Sequence, residues 1–323
     1  MTDLLNWSAQ RVIVTGGAGF VGTHLVEHLK TLGVGELFVP RSRDYDLRQA
    51  EQIKRLFEEH PNATMLIHLA ATVGGIGANR SHPGTFSYDN LMMGTELLQR
   101  ARLSGVEKFV GIGTICSYPK FTAVPFREED LWNGYPEETN APYGLAKKML
   151  LVQSQAYRTE FDYNAIHLMP TNLYGPGDNF DLESSHVVPA LIRKTHDAKV
   201  RGRDTVTIWG SGRPRREFLY VDDCADALVH LMEHYSGPDP INVGTGTDLT
   251  IADLGRKIAG VVGFSGALTC DRSRPDGTPR KLLDVAYLRR LGWRAPTSLD
   301  DGLARTYRWF TENMTETADA AAV

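Results

Sequence analysis

A glycine-rich turn between a β-rich run and a helical pattern constrains this chain more than any other feature. Arg11–Thr15 is short and apolar, and it leads into Gly16-Gly17-Ala18-Gly19-Phe20-Val21-Gly22 before a helical pattern over about Thr23–Leu32. A Gly-x-x-Gly-x-x-Gly spacing between a strand and a helix is typical of sites that bind the pyrophosphate of a dinucleotide. The alternative, a glycine turn without a ligand, is disfavoured by the flanking pattern.

The residues of this turn have different predicted roles. Gly16 permits the tight turn, Gly19 lets a pyrophosphate approach the backbone, and Gly22 lets the helix pack on the strand. We place Phe20 and Val21 in the cofactor site as well, ahead of a helix whose free N–H groups and positive dipole end face the phosphates.

The end of the second predicted strand indicates which dinucleotide binds. The strand over Glu36–Val39 is followed by Arg41 and Arg43, where an NAD site usually has an acidic residue. Guanidinium groups suit a 2′-phosphate, so the sequence favours NADP. The alternative is that one or both arginines are merely solvated. We place Asp46 and Leu47 at the border of the adenine.

Strands and helices alternate through the first half of the chain. Further strands are predicted at Met65–Ala71, Lys108–Ile112 and Asn164–Met169, with helices over about Tyr88–Ser104 and from Tyr143 to about Thr159. This order predicts an α/β fold with a doubly wound parallel Rossmann sheet. Leu69, Ala70 and Ala71 end this predicted strand at the sheet edge where ligands bind, and we expect them to contact the cofactor.

The amino-acid composition changes after Pro170–Pro176, and glycine, proline and polar residues dominate to about Ser185. We therefore expect an NADP-binding Rossmann domain over 1–180 and a smaller C-terminal α+β substrate domain over 181–323. The segment at about 218–240 contains a predicted helix from Cys224 to about His234, which we expect to pack back on the first domain. Other predicted elements are a strand at Val206–Trp209, a helix capped by Thr250 and a last helix over about Leu299–Asn313.

A Tyr-x-x-x-Lys pattern lies on the helix that begins near Pro142. Tyr143 and Lys147 are one helical turn apart and share a face. An ammonium beside a phenol favours the phenolate, so we expect Lys147 to lower the pKa of Tyr143. Such a phenol can exchange a proton with a sugar oxygen while hydride moves at the carbon. Taken alone, the pattern is more often an exposed pair.

Net charge, cysteine spacing and the lack of long apolar runs disfavour several classes of ligand and cellular location. The 323-residue chain has a net charge of −4, which gives no reason to expect nucleic acid or an anionic membrane. Its three cysteines, Cys116, Cys224 and Cys270, form no paired spacing, which disfavours a disulfide framework and a zinc site. With neither a signal-peptide pattern nor a long apolar run, we expect a cytoplasmic protein without a membrane span.

Several longer motifs run from about Arg11 to Asn313 and are more specific than the glycine turn. They are Val73-Gly74-Gly75-Ile76 with Ala78-Asn79, Cys116 with Tyr118-Pro119-Lys120, Pro170–Pro176 with Asp178-Asn179-Phe180, Ser185-His186-Val187 with Pro189-Ala190-Leu191, Trp209-Gly210-Ser211-Gly212 with Arg216-Glu217-Phe218, and Pro275–Asp284. With these motifs the chain resembles the extended short-chain dehydrogenases/reductases and, within them, the GDP-L-fucose synthases.

The resemblance implies a two-stage reaction. GDP-4-keto-6-deoxy-D-mannose is epimerised at C3 and C5, and NADPH then reduces its C4 ketone to give GDP-L-fucose. By position, Cys116 matches the base of the epimerisation and His186 its partner acid. Tyr143 matches the proton donor of the reduction, Lys147 supports it and binds the nicotinamide ribose, and the Thr114 hydroxyl binds the C4 oxygen.

The resemblance also implies two sets of binding residues and a partner. Tyr143, Lys147, Pro170, Asn172, Leu173 and His186 join the cofactor site. The GDP-sugar contacts fall on Asn172, Lys194, Trp209, Arg216 and Asp276. The family commonly forms homodimers through the helix of Tyr143 and the helix before it, and we expect a homodimer here.

Three positions depart from the family pattern. Thr114 replaces a serine but keeps its hydroxyl, Thr72 replaces a lysine, and Ala18 replaces an arginine in the glycine turn. These departures leave open a sister enzyme acting on another nucleotide sugar, such as a GDP-sugar epimerase without net reduction or an enzyme using a keto-deoxyheptose. A cofactor-binding regulator without catalysis is a third hypothesis, which the intact Tyr143 and Lys147 disfavour.

Several candidate residues also have ordinary structural interpretations. Cys116 could be a small core residue, His186 a helix-start residue and Trp209 part of the core. Arg216 lies in a basic turn that could simply be solvated. We interpret His68 as a core histidine, and Cys224 and Cys270 as structural.

Overall fold

Strand β1 (Arg11–Thr15) forms because its β-branched residues fit a pleated strand that is buried on both faces. Helix α1 (Phe20–Thr31) begins directly after the glycine turn and covers one face. The computed structural model describes residues 5–74, 76–274 and 276–314. Gly75 and Pro275, which belong to two of the motifs above, lie outside the described residues.

The remaining elements follow in chain order. The strands after β1 are β2 (Glu36–Phe38), β3 (Met65–His68), β4 (Lys108–Ile112), β5 (Asn164–Pro170), β6 (Asn172–Tyr174), β7 (Thr205–Trp209), β8 (Arg215–Arg216), β9 (Phe218–Tyr220), β10 (Ile241–Val243), β11 (Leu249–Thr250), β12 (Ala267–Asp271) and β13 (Arg280–Lys281). The helices after α1 are α2 (Ala50–Glu59), α3 (Ile76–Ser81), α4 (Pro83–Leu103), α5 (Ala141–Phe161), α6 (Val187–Val200), α7 (Val221–His234), α8 (Ile251–Val262), α9 (Ala286–Arg290) and α10 (Leu299–Asn313).

The predicted parallel sheet is confirmed. Within the described residues, one six-stranded sheet has the order β10-β5-β4-β3-β1-β2, and every neighbouring pair in it is parallel. The order reverses between β1 and β3, so the topological switch point lies beside the glycine turn, where open α/β sheets bind ligands.

The chain after α5 divides its elements between two regions. Helix α7 packs on α1, and β10 extends the six-stranded sheet beside β5. Strands β7 and β12 pair with each other, β6 pairs with β9, and β11, β8 and β13 form a small three-stranded sheet. Helices α6, α8 and α10 share a separate hydrophobic cluster with Tyr174, Phe180 and Phe218.

Helix boundaries differ from the sequence pattern mainly at N-termini. Helix α1 starts at Phe20 rather than Thr23. Helix α4 starts at Pro83 rather than Tyr88, because proline is well tolerated in a first helical turn. Thr250 caps α8 as predicted, since its hydroxyl accepts a hydrogen bond from the Asp253 amide.

Candidate active site

The glycine turn ties β1 and α1 to the end of β3. Gly16 has a φ of +72°, and a Cβ there would lie 2.5 Å from the Ala70 amide nitrogen. A Cβ on Gly22 would overlap the Gly16 carbonyl oxygen. Gly19 is the exposed N-cap of α1, whose first turn leaves the N–H groups of Phe20 and Val21 without helical acceptors. The turn therefore fits an anionic group such as a pyrophosphate.

The loop after β2 has exposed arginine side chains. Arg41 and Arg43 both face solvent, and Arg43 donates from Nε to Asp44 at 3.3 Å. Within the described chain, the Arg41 guanidinium contacts no carboxylate, so it is available to a phosphate.

Asp46 and Leu47, which we placed at the border of the adenine, have partners inside the protein. The Arg48 guanidinium donates two hydrogen bonds of 2.8 Å to Asp46 and lowers the pKa of its carboxyl to about 2. Leu47 is buried in the cluster that also contains Ile53 and Phe57. Their contact with a cofactor stays a prediction.

Helix α5 places Tyr143 and Lys147 on one side, but the expected electrostatic effect is absent. Desolvation by burial, and then the electrostatic effect of Cys116, raise the pKa of Tyr143. Burial also lowers the pKa of the Lys147 ammonium to about 8. The prediction that Lys147 lowers the pKa of Tyr143 is therefore wrong for this structure, because desolvation dominates.

The turn after β4 holds Thr114 and Cys116 against the start of α5. Thr114 Oγ1 accepts a hydrogen bond from the Cys116 amide at 3.2 Å, which caps the short 3-10 turn Ile115–Ser117. The Ser117 hydroxyl donates to the Gly144 carbonyl at 2.9 Å, and Gly144 itself leaves room for the Cys116 backbone. Cys116 is half-buried in this turn, next to the tyrosine helix.

The two residues assigned to epimerisation are not in direct contact. His186 is the N-cap residue of α6 and is exposed as a residue, yet desolvation of its ring still lowers its pKa. Within the described residues, the group that contacts the Cys116 sulfur is instead Lys281, whose Nζ donates to Sγ at 3.6 Å. No local pattern predicts this contact, because it joins positions 165 residues apart.

Among the candidate GDP-sugar residues, Trp209 and Arg216 end β7 and β8, Lys194 lies on α6, and Asp276 lies between β12 and β13. Trp209 is 56% exposed, and its ring is 4.6 Å from Lys194 Nζ and 5.0 Å from the Arg274 guanidinium. Arg216 is half-buried, and desolvation lowers its pKa. The Asp276 carboxylate accepts from the Ser211 amide at 2.5 Å and from its hydroxyl at 2.8 Å. Asp276 thus fixes the turn beside Trp209.

Pro170, Asn172 and Leu173 follow the carboxyl end of β5, at the same edge as Ala70 and Thr114. Asn172 Nδ2 donates to the Glu217 carbonyl at 2.8 Å, so the amide links this strand end to β9. Leu69, Ala70 and Ala71 continue from β3 and are partly buried. The edge therefore brings together the predicted cofactor residues of four strands.

Comparison with known proteins identifies the family. Residues 12–244 match the NAD dependent epimerase/dehydratase family. The chain belongs to this family. A GDP-L-fucose synthase of Sinorhizobium fredii is 46% identical, with 95% of this chain and 97% of the relative covered.

Two solved structures of similar proteins have the same overall fold. A GDP-L-fucose synthetase of Naegleria fowleri bound to NADP is 32% identical, with a TM-score of 0.88 over 95% of this chain and 94% of the other. A GDP-6-OMe-4-keto-L-xylo-heptose reductase of Campylobacter jejuni is 29% identical, with a TM-score of 0.87 over 94% and 98%.

Two residues of this epimerase/dehydratase chain form hydrogen bonds between distant segments around the site, and neither was predicted as a site residue. The buried Glu217 carboxylate accepts from the amides of Thr245, Gly246 and Leu283. His24 on α1 donates from Nε2 to the Pro176 carbonyl at 2.8 Å, and its Nδ1 pairs with Asp222 on α7. Neither has a local signature, because every partner is distant in the chain.

A groove of about 390 Å³ opens elsewhere on the molecule, between β9 and the segment around Trp293. It contains none of the predicted site residues, so it supplies no part of this chemistry.

His68 is buried and bonded to Thr15, as expected of a core histidine, and Cys224 is buried too. Cys270 is exposed, and its thiol donates to the Ser211 carbonyl.

Two searches of the described residues complete the description of the site. Within 5–74, 76–274 and 276–314, no group of three or more His, Cys, Asp or Glu side chains is placed to hold a metal ion. In the same ranges, no helix has both the length and the apolar character needed to cross a bilayer.

Proposed function

We propose that this chain converts GDP-4-keto-6-deoxy-D-mannose to GDP-L-fucose, by epimerisation at C3 and C5 followed by reduction at C4 with NADPH. The close likeness to a GDP-L-fucose synthase over nearly the whole of both chains supports this substrate. The observation that carries the proposal is the position of Cys116. Its turn packs on the first turn of α5, so one cleft holds a base beside the Tyr143 phenol.

Epimerisation requires a base beside an acidified carbon. The C4 ketone acidifies the C3 and C5 hydrogens, and the Cys116 thiolate removes one of these protons while the bond electrons move to the ketone oxygen. The enolate then takes a proton on the opposite face of the same carbon, which we assign to His186. Proton exchange with solvent restores the Cys116 thiolate and the His186 acid, and the second carbon is epimerised in the same way. No net oxidation or reduction occurs in this stage.

Reduction then uses the groups on α5 and after β4. Bound NADPH supplies hydride to C4. The raised pKa of Tyr143 keeps its phenol protonated at neutral pH, so it can donate that proton to the C4 oxygen. Lys147, with a pKa of about 8, is still mostly cationic there and stabilises the developing charge. Thr114 positions the oxygen through its hydroxyl.

The cofactor assignment rests on the glycine turn and on Arg41. The turn has the space and the free amides that a pyrophosphate needs, and Arg41 is an unpaired cation after β2 in the described chain. The NADP in the similar Naegleria fowleri structure supports the same preference.

The GDP end of the substrate is assigned to the later part of the chain. Arg216 and Lys194 provide cations for the pyrophosphate, and the exposed Trp209 ring provides a stacking surface for guanine. We propose that residues 1–180 form the NADP-binding domain and 181–323 the sugar-nucleotide domain, with α7 and β10 returning to the first. Catalysis then takes place between the two.

We further propose a cytoplasmic homodimer. Helices α4 and α5 pack on each other and expose Tyr88, Met149 and Val152, an apolar surface that suits a second copy. A reducing compartment keeps the Cys116 thiol free for catalysis.

A substrate comparison tests the proposed function. Purified protein would be assayed for kcat/KM with NADPH on GDP-4-keto-6-deoxy-D-mannose and on a GDP-4-keto-heptose, the substrate class named for the Campylobacter jejuni reductase. We expect the deoxymannose to be preferred by more than about tenfold, as one changed substituent in a fitted pocket commonly produces. A preference for the heptose would instead support the sister-enzyme hypothesis.

A further inference from the structure

Two basic strands lie side by side next to the candidate site. In the parallel pair β8 and β13, Arg215 is opposite Arg280 and Arg216 is opposite Lys281. Successive side chains of a strand point to opposite faces, so these two cross-strand pairs project to different sides. On one side, Arg215 and Arg280 share the carboxylate of Asp248, at 2.7 and 2.5 Å.

The other pair projects toward Cys116. Lys281 Nζ donates to the Cys116 sulfur at 3.6 Å, and the charge of that sulfur acts to raise the pKa of Arg216. Among the described residues, Lys281 on β13 donates to the Cys116 sulfur, and Arg216 on β8 and the Tyr143 phenol on α5 are close enough to be affected by its charge. The carboxylate of Asp276, which acts on Arg216, is already bound by Ser211.

The segment that carries Lys281 is fixed from both sides. Directly after β13, the Leu283 amide donates to Glu217 at 2.8 Å, which anchors the segment next to β9. The Phe126 amide donates to the Leu282 carbonyl at 2.8 Å, and the Asp284 amide donates to the Phe126 carbonyl at 2.9 Å. These three hydrogen bonds fix the backbone directly after Lys281, from which its half-buried side chain reaches the sulfur.

We propose that Lys281 is a positioning residue that keeps the Cys116 sulfur in its thiolate form for epimerisation. The inference rests on the proposed function, because the role of Cys116 as a base was proposed there. Adjacent cations repel, and an anion between them relieves the repulsion. A thiolate beside a lysine ammonium is stabilised in the same way.

Lys281 keeps its own proton throughout the step. The thiolate takes the proton from the carbon beside the ketone, and the electron pair of that C–H bond becomes the enolate. The sulfur is then a neutral thiol, and Lys281 remains an ammonium. When the thiol later gives its proton up, the ion pair forms again.

Thiol alkylation as a function of pH tests this proposal without using the substrate. Full-length protein is treated with iodoacetamide, and adducts at Cys116 and Cys270 are quantified separately by peptide mass spectrometry. In Lys281→Met we expect the pH midpoint for Cys116 to rise by about one unit, with a roughly tenfold slower reaction at pH 7. The exposed Cys270, whose thiol donates to the Ser211 carbonyl, serves as an internal reference and should not change.

Two further variants separate charge from structure. Lys281→Arg retains the cation and should keep the Cys116 midpoint near that of the parent, whereas Lys257→Met removes a lysine paired with Asp300 elsewhere and should change nothing at Cys116. Lys281→Gln replaces Lys281→Met if the latter is not folded by circular dichroism. An unchanged midpoint in the folded neutral variant would overturn the proposal.

The failure of this inference is distinguishable from failure of the proposed function. If the midpoint shifts but no deuterium enters the GDP-sugar from D2O, the ion pair is real and the assigned reaction is wrong. If deuterium enters and the midpoint does not shift, Cys116 acts without Lys281. If the midpoint shifts and deuterium also enters the product, the low-pH limb of the pH profile for exchange should move to higher pH in Lys281→Met, together with the alkylation midpoint.

Discussion

Lys147 is a buried cation with no hydrogen-bond acceptor for its Nζ among the described residues. It is 4% exposed, and its pKa is depressed from 10.5 to about 8 by desolvation. Between these two values the unfolded chain binds more protons than the folded one, so the stability contributed by this residue rises with pH across that window. Below pH 8 the full cost of burying the charge is present.

Replacement of Lys147 should therefore stabilise the protein while removing its reductase activity. We expect Lys147→Met to raise the free energy of unfolding by about 1–3 kcal/mol at pH 7, with the gain shrinking toward pH 10. Urea denaturation at the two pH values measures this difference, and NADPH consumption reports the lost reduction.

Lys148 is the matched control for that prediction. It is also 4% exposed, but its Nζ donates to the Leu131 carbonyl at 2.6 Å and lies 4.4 Å from the Trp132 ring centre. Lys148→Met should therefore lower the free energy of unfolding. A Lys147→Met protein that is less stable than the parent at pH 7 would contradict the account of buried charge.

We expect the cofactor preference to depend mainly on Arg41. In Arg41→Ser we expect KM for NADPH to rise at least about tenfold, since a charge-assisted contact to phosphate contributes about 1.5–3 kcal/mol, and KM for NADH to change little. Steady-state kinetics with both cofactors make the comparison. Arg48→Ser, which removes a neighbouring guanidinium already bound to Asp46, should leave the NADPH to NADH ratio near its parent value.

At the scale of elements, the glycine turn depends on contact between backbones. A Cβ at Gly22 would overlap the Gly16 carbonyl, whereas a Cβ at Gly260 in α8 meets nothing within 4 Å. Both glycines are helical, so the pair separates helix propensity from crowding.

Gly22→Ala should lower the free energy of unfolding by about 1–3 kcal/mol and weaken NADPH binding, because α1 must move away from β1. Gly260→Ala should instead raise stability by about 0.4–1 kcal/mol. Thermal denaturation and NADPH fluorescence titration measure both effects. Equal stabilities for the two variants would show that the turn tolerates a side chain.

Elements were predictable from sequence where a local pattern determines them. The strand and helix around Gly16, the parallel sheet and the Thr250 cap all follow from residues adjacent in the chain. The Lys281–Cys116 contact and the Glu217 anchor were not predictable, since each joins segments that only the folded chain brings together. The prediction of a lowered pKa for Tyr143 was wrong because desolvation by burial, which depends on tertiary packing, outweighs the electrostatic effect of Lys147 on the same helix.

At the scale of the whole molecule, the exposed apolar side of α4 and α5 determines the expected assembly. Val152 on α5 is 40% exposed, and Met149 and Tyr88 lie on the same pair of helices. We expect a dimer by size-exclusion chromatography with light scattering. Val152→Glu buries a charge in that interface and should weaken dimerisation at least about a hundredfold, which corresponds to about 3 kcal/mol.

Val200 provides the control for the dimer prediction. It is 70% exposed at the end of α6, away from the proposed interface, so Val200→Glu should leave the dimer intact. A monomeric parent protein, or equal effects of the two glutamates, would exclude this surface as the interface.

The proposed site brings an epimerisation base and a reductase pair into one cleft, and one experiment follows both. Parent protein and Cys116→Ser are incubated with GDP-4-keto-6-deoxy-D-mannose and NADPH in D2O, and NADPH absorbance is followed beside product deuterium by NMR and mass spectrometry. We predict that the parent incorporates deuterium at C3 and C5 and oxidises one NADPH per product, while Cys116→Ser loses at least about a hundredfold of the exchange rate. NADPH oxidation without deuterium in the product, or full exchange in Cys116→Ser, would contradict the account.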